Sequence, residues 1–88
     1  MDAGDDAREA VARLLAEQLR CAMALGSPVE IAVVLGCAAE MSMFPPTPVL
    51  EACTSTIQSA EQPALRGVLW AVRHRKLRAP SGARTLLL

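Results

Sequence analysis

The residues of this chain best suited to binding chemistry are six cations in its last third. Residues 62–88 hold six basic residues and no acidic one, whereas residues 1–61 hold all nine acidic residues and three basic ones. Guanidinium groups bind phosphate oxygens through paired hydrogen bonds, and clustered cations release counterions from a polyanion. The charge asymmetry therefore predicts a polyanionic or acidic partner for this end of the chain. The candidate anion-binding residues are Arg66, Arg73, Arg75, Lys76, Arg78 and Arg84.

An aromatic residue shares a helix face with the first of these cations. Arg66, Trp70, Arg73 and Leu77 are spaced i, i+4, i+7 and i+11, which places them on one side of a helix. An indole in such a position can stack on a nucleobase or on a guanidinium. Because Trp70 continues an apolar run, we expect it to pack between helices instead. For the cations, the alternative is a solvated face that complements the helix C-terminus.

The sequence predicts no catalytic or metal site. It contains no Gly-rich phosphate loop, no GxSxG motif and no HExxH motif. Cys21, Cys37 and Cys53 form no CxxC pair and lie far in sequence from the one histidine, which disfavours a zinc site. We expect three small buried hydrophobic residues here, with redox pairing of two of them as the alternative. The chain is accordingly predicted to be no enzyme and to need no cofactor.

The composition favours a single small all-α domain over residues 1–88. Hydrophobic residues make up 52% of the chain, with one Trp, one Phe and no Tyr. Aliphatic side chains of this kind let helix axes approach closely. The alternation of β-branched and aromatic residues that is typical of a sheet is absent. The longest apolar run, residues 31–39, is shorter than the ~20 residues of a membrane span, so no transmembrane segment is predicted.

Capping residues and prolines divide the chain into five predicted helices. The clearest start signal is Ser27-Pro28 with Glu30, a Ser cap, a Pro at the first helical position and a Glu three residues after the Ser. Thr47-Pro48 repeats this cap-then-proline pattern. The predicted helices cover residues 7–25, 28–41, 48–59 and 62–77, with a truncated fifth helix over 81–88.

Two segments related by a shift of 34 residues have similar sequences. The pairs aligned by this shift are Ile31 with Leu65, Val34 with Val68, Leu35 with Leu69, Met43 with Leu77, and Pro46 with Pro80. Helix pairs repeat with periods of about 34–40 residues. We therefore predict a short, α-solenoid-like helix-turn-helix repeat array, with an N-terminal helix in 1–26, a first repeat in 27–60 and a partial second repeat in 61–88. The alternative is two ordinary amphipathic helices with similar ends.

Two apolar regions are candidate protein interfaces. Residues 31–39 are apolar nearly all round, which is typical of a helix buried by neighbours on both sides or covered by another chain. The sequence ends in three leucines, where a terminal repeat normally carries a polar cap. These leucines either dock on a partner or fold back on the fourth helix. The predicted interface residues are Ile31, Val34, Leu35, Leu86, Leu87 and Leu88.

A family resemblance lies in residues 65–71, whose sequence is LRGVLWA, and in the basic residues and Pro80 that follow. This segment resembles the first helix of the heptatricopeptide and octotricopeptide repeats, which commonly have a Val/Leu-Leu-Trp-Ala core. Such repeats occur in RNA-binding proteins of organelles, often beside RAP domains. The first copy fits less well, because Gly36 stands where the family has Trp, and no RAP domain is visible. The resemblance covers residues 28–88 and implies a helical-repeat protein of mitochondria or plastids that contacts RNA.

Two repeats are too few to read an RNA sequence, so the resemblance implies a structural role. We predict a small subunit of a mitochondrial ribosome or other organellar ribonucleoprotein, which contacts rRNA through the six cations and packs against neighbouring subunits. Residues 1–6 are acidic, unlike an organelle transit peptide, so plastid and cytoplasmic locations stay open. The alternative is a non-catalytic protein–protein adaptor, chaperone or accessory subunit of a membrane-associated complex, bound through apolar surfaces. A homo-oligomer that buries these same surfaces belongs to this second class.

Overall fold

Four α-helices and one short pair of parallel strands make up the structure, a computed structural model that describes residues 3–88 apart from the side chains of Ala3 and Asp5. The elements are α1 (Ala3–Leu25), α2 (Pro28–Glu40), β1 (Met43–Phe44), α3 (Thr47–Ser59), α4 (Pro63–Leu77) and β2 (Arg84–Thr85). The predicted all-α class is confirmed, and the first four predicted helices lie within a few residues of the observed ones.

Local sequence signals set most of the helix ends. The Ser27 hydroxyl caps α2 as predicted, accepting a hydrogen bond from the backbone N–H of Glu30 over 3.4 Å. Gly26 follows α1 with a φ of 65°, a left-handed conformation in which a Cβ would be costly. The predicted cap at Thr47 is wrong, because this residue lies inside α3 and the N-cap position belongs to Pro46, which makes no side-chain cap hydrogen bond.

α2 lies at the centre of the fold, packed against α1, α3, α4 and β1. Its inner residues join the main core, and their burial supplies the largest favourable term in folding. The prediction that neighbours bury α2 is confirmed for this inner face. The main core consists of Leu19, Ala22, Ile31, Ala32, Leu35, Ala39, Phe44, Leu50, Cys53, Ile57, Leu65, Leu69 and Val72.

The predicted fifth helix over residues 81–88 is wrong. Instead, β2 runs parallel to β1, with the Arg84 N–H donating to the Ser42 carbonyl over 2.9 Å and the Leu86 N–H donating to the Phe44 carbonyl over 2.8 Å. A helix of about two turns is marginal in water, because nucleation fixes several dihedrals for one hydrogen bond. The extended segment places a leucine in a second core cluster against α1 and β1. That cluster consists of Ala12, Ala16, Ala38, Met43 and Leu86.

Candidate nucleic-acid interface on the fourth helix

Trp70 is the centre of the outer face of α4. Its side chain is 67% exposed, so the prediction that it packs between helices is wrong. The buried face of α4 is supplied by Leu65, Leu69 and Val72, and Trp70 lies one residue further round the helix. The Trp70 and His74 rings are stacked, with their centroids 5.0 Å apart and their planes inclined by 8°. The two rings therefore form an aromatic stack on the outside of the molecule.

Two exposed arginines flank this aromatic surface. Arg66 lies one turn before Trp70 on α4 and Arg73 lies about one turn after it, as the i, i+4, i+7 spacing predicted. Together with Gln58 of α3 and the buried Leu69, these residues line an open depression of about 490 Å³. Among the side chains that the structure describes, neither guanidinium forms an ion pair. Both are therefore free to bind an anion beside the ring.

Two of the six predicted cations are paired within the chain instead. Arg75 of α4 lies 3.6 Å from the Glu40 carboxylate of α2. Arg84 of β2 pairs with Glu9 of α1, because the extended segment leaves α4 and runs beside β1. The structure thus separates Arg84 from the cations of α4. Both pairs are partly exposed, and such pairs contribute only about 0–1 kcal/mol to stability.

The two remaining cations lie at the C-terminal end of α4. Lys76 is half-buried and Arg78, the C-cap residue, is exposed. Cations in the last turn of a helix interact favourably with its unpaired carbonyls. We call the surface formed by Arg66, Trp70, Arg73 and His74 the α4 face, with Lys76 and Arg78 at its end.

Half of the predicted protein-interface residues lie inside this chain. Ile31, Leu35 and Leu86 are each 1% exposed, and they pack in the two cores described above. Their assignment to a protein interface is therefore corrected: the chain's own helices and strands cover them. Val34 is half-buried against the main core. Of the terminal leucines, only Leu87 and Leu88 remain exposed.

The sequence reasoning missed an apolar groove between α2 and α4. Val29, Val33 and Cys37 line it from α2 and are exposed, while Val68 lines it from α4. The groove has a volume of about 420 Å³, and the Arg75–Glu40 ion pair bridges its two walls. The i, i+4, i+8 spacing of its α2 residues was the available signal, but it was hidden in a helix that is apolar nearly all round.

The cysteines differ in their environments. All three are free; Cys53 is buried, whereas Cys21 and Cys37 are exposed, so the prediction of three buried thiols is correct for Cys53 alone. Burial raises the pKa of the Cys53 thiol above its ordinary value, and a backbone hydrogen bond opposes this in part. Among the side chains that the structure describes, no group of three potential ligands that could hold a metal ion is found.

The fold and the α4 face together define a small all-α protein with an exposed aromatic and cationic surface. Comparisons with models of protein families, with curated proteins and with solved structures find no match for this chain. The resemblance to heptatricopeptide and octotricopeptide repeats therefore stays a prediction from the sequence. No helix in the part of the chain that the structure describes is long and apolar enough to cross a membrane.

Proposed function

We propose that this protein is a non-catalytic RNA-binding subunit of a ribonucleoprotein and that it binds RNA through the α4 face. The observation that carries the proposal is the exposed Trp70–His74 stack beside Arg66 and Arg73, which have no ion-pair partner in the part of the chain that the structure describes. Arginine forks match phosphate oxygens, and aromatic rings stack on bases, so this pairing of groups suits RNA. A solvated face that only kept the chain soluble would need the cations but not the indole.

The resemblance to organelle repeat proteins supports the narrower proposal of a mitochondrial ribosome subunit. Plastid and cytoplasmic particles are the alternatives. Two of the aligned pairs support the α-solenoid-like array within this proposal. Ile31 and Leu65 are buried at positions related by the 34-residue shift, and so are Leu35 and Leu69, whereas Met43 is buried and its counterpart Leu77 is exposed. The second repeat then consists of α4 alone, because no helix follows it in the described residues.

The test is the affinity of the purified protein for an rRNA fragment, measured by fluorescence anisotropy at several salt concentrations. We expect affinity to fall steeply with salt, because phosphate contacts release counterions. The double variant Arg66→Gln/Arg73→Gln should weaken binding to all sequences alike and lower the salt slope by about 2, about one unit per lost phosphate contact. The matched control is Arg13→Gln/Arg20→Gln, which removes the same charge from exposed positions of α1.

The proposal fails if the control double variant weakens binding as much as the α4 double variant. That result would mean that net charge, and not the α4 face, governs the affinity. Thermal melts followed by circular dichroism check that all variants keep the fold. Binding that is insensitive to salt and to both double variants would also contradict the proposal, because it would not depend on phosphate contacts.

The protein–protein adaptor is the second candidate, and the apolar groove between α2 and α4 favours it. Apolar docking survives high salt, whereas phosphate docking does not. The two functions are separated by purifying the tagged chain from its own cells at low and high salt and identifying the RNA and proteins that co-purify with it. Ribosomal RNA and ribosomal proteins that are lost together on nuclease treatment support the ribonucleoprotein. A salt-resistant, RNA-free set of partners supports the adaptor, chaperone or accessory subunit.

A further inference from the structure

The Trp70 indole has one ring face that the fold leaves unused. Its other face is stacked against His74, yet the residue as a whole is 67% exposed. The indole therefore presents flat apolar surface to solvent beside the depression that Arg66 and Arg73 flank. Exposed aromatic surface of this kind is characteristic of platforms on which single-stranded nucleic acids stack their bases.

The depression beside the indole has the polar groups that an unpaired base and its phosphates need. Gln58 reaches it from α3, and a side-chain amide both donates and accepts hydrogen bonds, as the Watson–Crick edge of a base requires. Arg66 and Arg73 stand at its border with no ion-pair partner among the side chains that the structure describes. Leu69, which is buried, supplies an apolar floor.

Helix packing does not explain an indole at this position. The residue related to Trp70 by the 34-residue shift is Gly36 of α2, where even a Cβ would lie 3.8 Å from the Val68 side chain of α4. That distance is ordinary van der Waals contact, so this position of α2 faces α4. On α4 the corresponding Trp70 is 67% exposed, so packing within the described chain does not require a large ring there.

We infer that Trp70 and His74 form a stacking platform for one unpaired base, so that the preferred ligand of the α4 face is single-stranded RNA. This inference rests on the proposed function and narrows it. A regular RNA duplex keeps its bases stacked on one another and offers no free ring face, so it can meet only the cations. The loops and bulges of a folded RNA offer both phosphates and splayed bases.

The fluorescence of the protein provides a direct test. Trp70 is the chain's one Trp and there is no Tyr, so intrinsic emission reports on this ring alone. Titration with a single-stranded oligonucleotide should quench the emission, and a duplex of the same sequence should quench it much less. For affinity, a labelled oligonucleotide is followed by anisotropy. Trp70→Leu should weaken single-strand binding roughly 5- to 150-fold, which corresponds to about 1–3 kcal/mol per stacked base.

The variants separate failure of this inference from failure of the proposed function. Trp70→Phe should retain most of the single-strand affinity, and Trp70→Leu should weaken duplex binding much less than single-strand binding. The control Leu14→Ala removes exposed apolar surface from α1 and should change neither affinity. If Trp70→Leu binds single strands as tightly as the wild type while Arg66→Gln/Arg73→Gln weakens binding, the platform is overturned and RNA binding stands. If neither RNA form binds, or if only a protein partner alters the emission, both the stacking platform and the proposed RNA-binding function are overturned.

Discussion

α2 and α4 have similar sequences, but α2 lies at the centre of the fold and α4 lies at its edge. The surfaces of the two helices differ accordingly. Ile31 and Leu35 of α2 are buried, as are their counterparts Leu65 and Leu69 of α4. The flanking positions diverge: Ala32, Gly36 and Ala39 of α2 correspond to Arg66, Trp70 and Arg73 of α4 in that order.

The divergence follows from the number of neighbours that each helix has. α2 packs against α1, α3, α4 and β1, and its Gly36 faces the Val68 side chain of α4. α4 packs against α2 and α3 and keeps one side open. Large charged and aromatic residues are tolerated there because they remain in water. The comparison teaches that one helix pattern serves as core at the centre of the fold and as solvent-exposed surface at its edge.

The largest expected effect comes from exchanging the residue types at one related pair of positions. Ala32→Arg places a cation in the core without a partner, which costs well over the about 3 kcal/mol of a broken buried ion pair. Because small domains are stable by only about 5–15 kcal/mol, we expect little folded protein. The reverse change, Arg66→Ala, should alter the free energy of unfolding by at most about 0.5 kcal/mol. Urea denaturation measures both, and equal effects would contradict the assignment of centre and edge.

A second prediction compares two leucines. Leu35→Ala should lower the free energy of unfolding by about 2–5 kcal/mol, because it leaves a cavity in the main core. Leu77 of α4 is 87% exposed, and Leu77→Ala should change stability by at most about 0.5 kcal/mol. Thermal melts and urea titrations check this pair. A large loss of stability in Leu77→Ala would show that the open side of α4 is covered in solution.

The ends of the two helices give a third, smaller prediction. Ser42, the residue after the C-cap of α2, has a φ of 55°, whereas the C-cap residues Met41 of α2 and Arg78 of α4 have φ values of −95° and −99°. Ser42→Gly should raise stability by about 0.5–1 kcal/mol, because glycine removes the steric cost of a left-handed residue at some cost in chain entropy. Arg78→Gly, the matched control, relieves no such strain and should bring no gain. A gain at both positions would show that the φ of Ser42 is not the cause.

The smallest effect concerns the thiols. Cys37, on the outer side of α2, should react quickly with a thiol reagent in the folded protein, whereas Cys53 should react only after unfolding. Because burial raises the pKa of Cys53, the folded state holds this proton more tightly than the unfolded state. The resulting contribution to the free energy of unfolding is fully present below the ordinary thiol pKa of about 8.5. It is lost as pH rises through the raised pKa of Cys53. Cys53→Ala should flatten this alkaline dependence, and unchanged dependence in that variant would contradict it.

Much of the fold was predictable because its signals are local. The Ser27 cap, the helix-starting prolines and the 3.6-residue spacing of leucines identified the four helices without any knowledge of their packing. The segment around Leu86 was not predictable in this way. Its course depends on backbone hydrogen bonds to Ser42 and Phe44, which are distant in sequence. A segment too short to form a stable helix alone takes whichever conformation its tertiary neighbours offer.

The features of the candidate site also divide into those set by local sequence signals and those set by tertiary packing. Composition and spacing alone placed Arg66, Trp70 and Arg73 on one side of a helix, and this arrangement holds whatever packs around it. Whether that side faces a neighbour or water depends on where α4 lies relative to α2 and α3. The i, i+4 spacing of Trp70 and His74 makes their stacking a local property of α4, whereas the tertiary structure left the indole exposed and paired Arg84 with Glu9. Periodicity is a property of one helix, whereas exposure depends on all the helices that surround it.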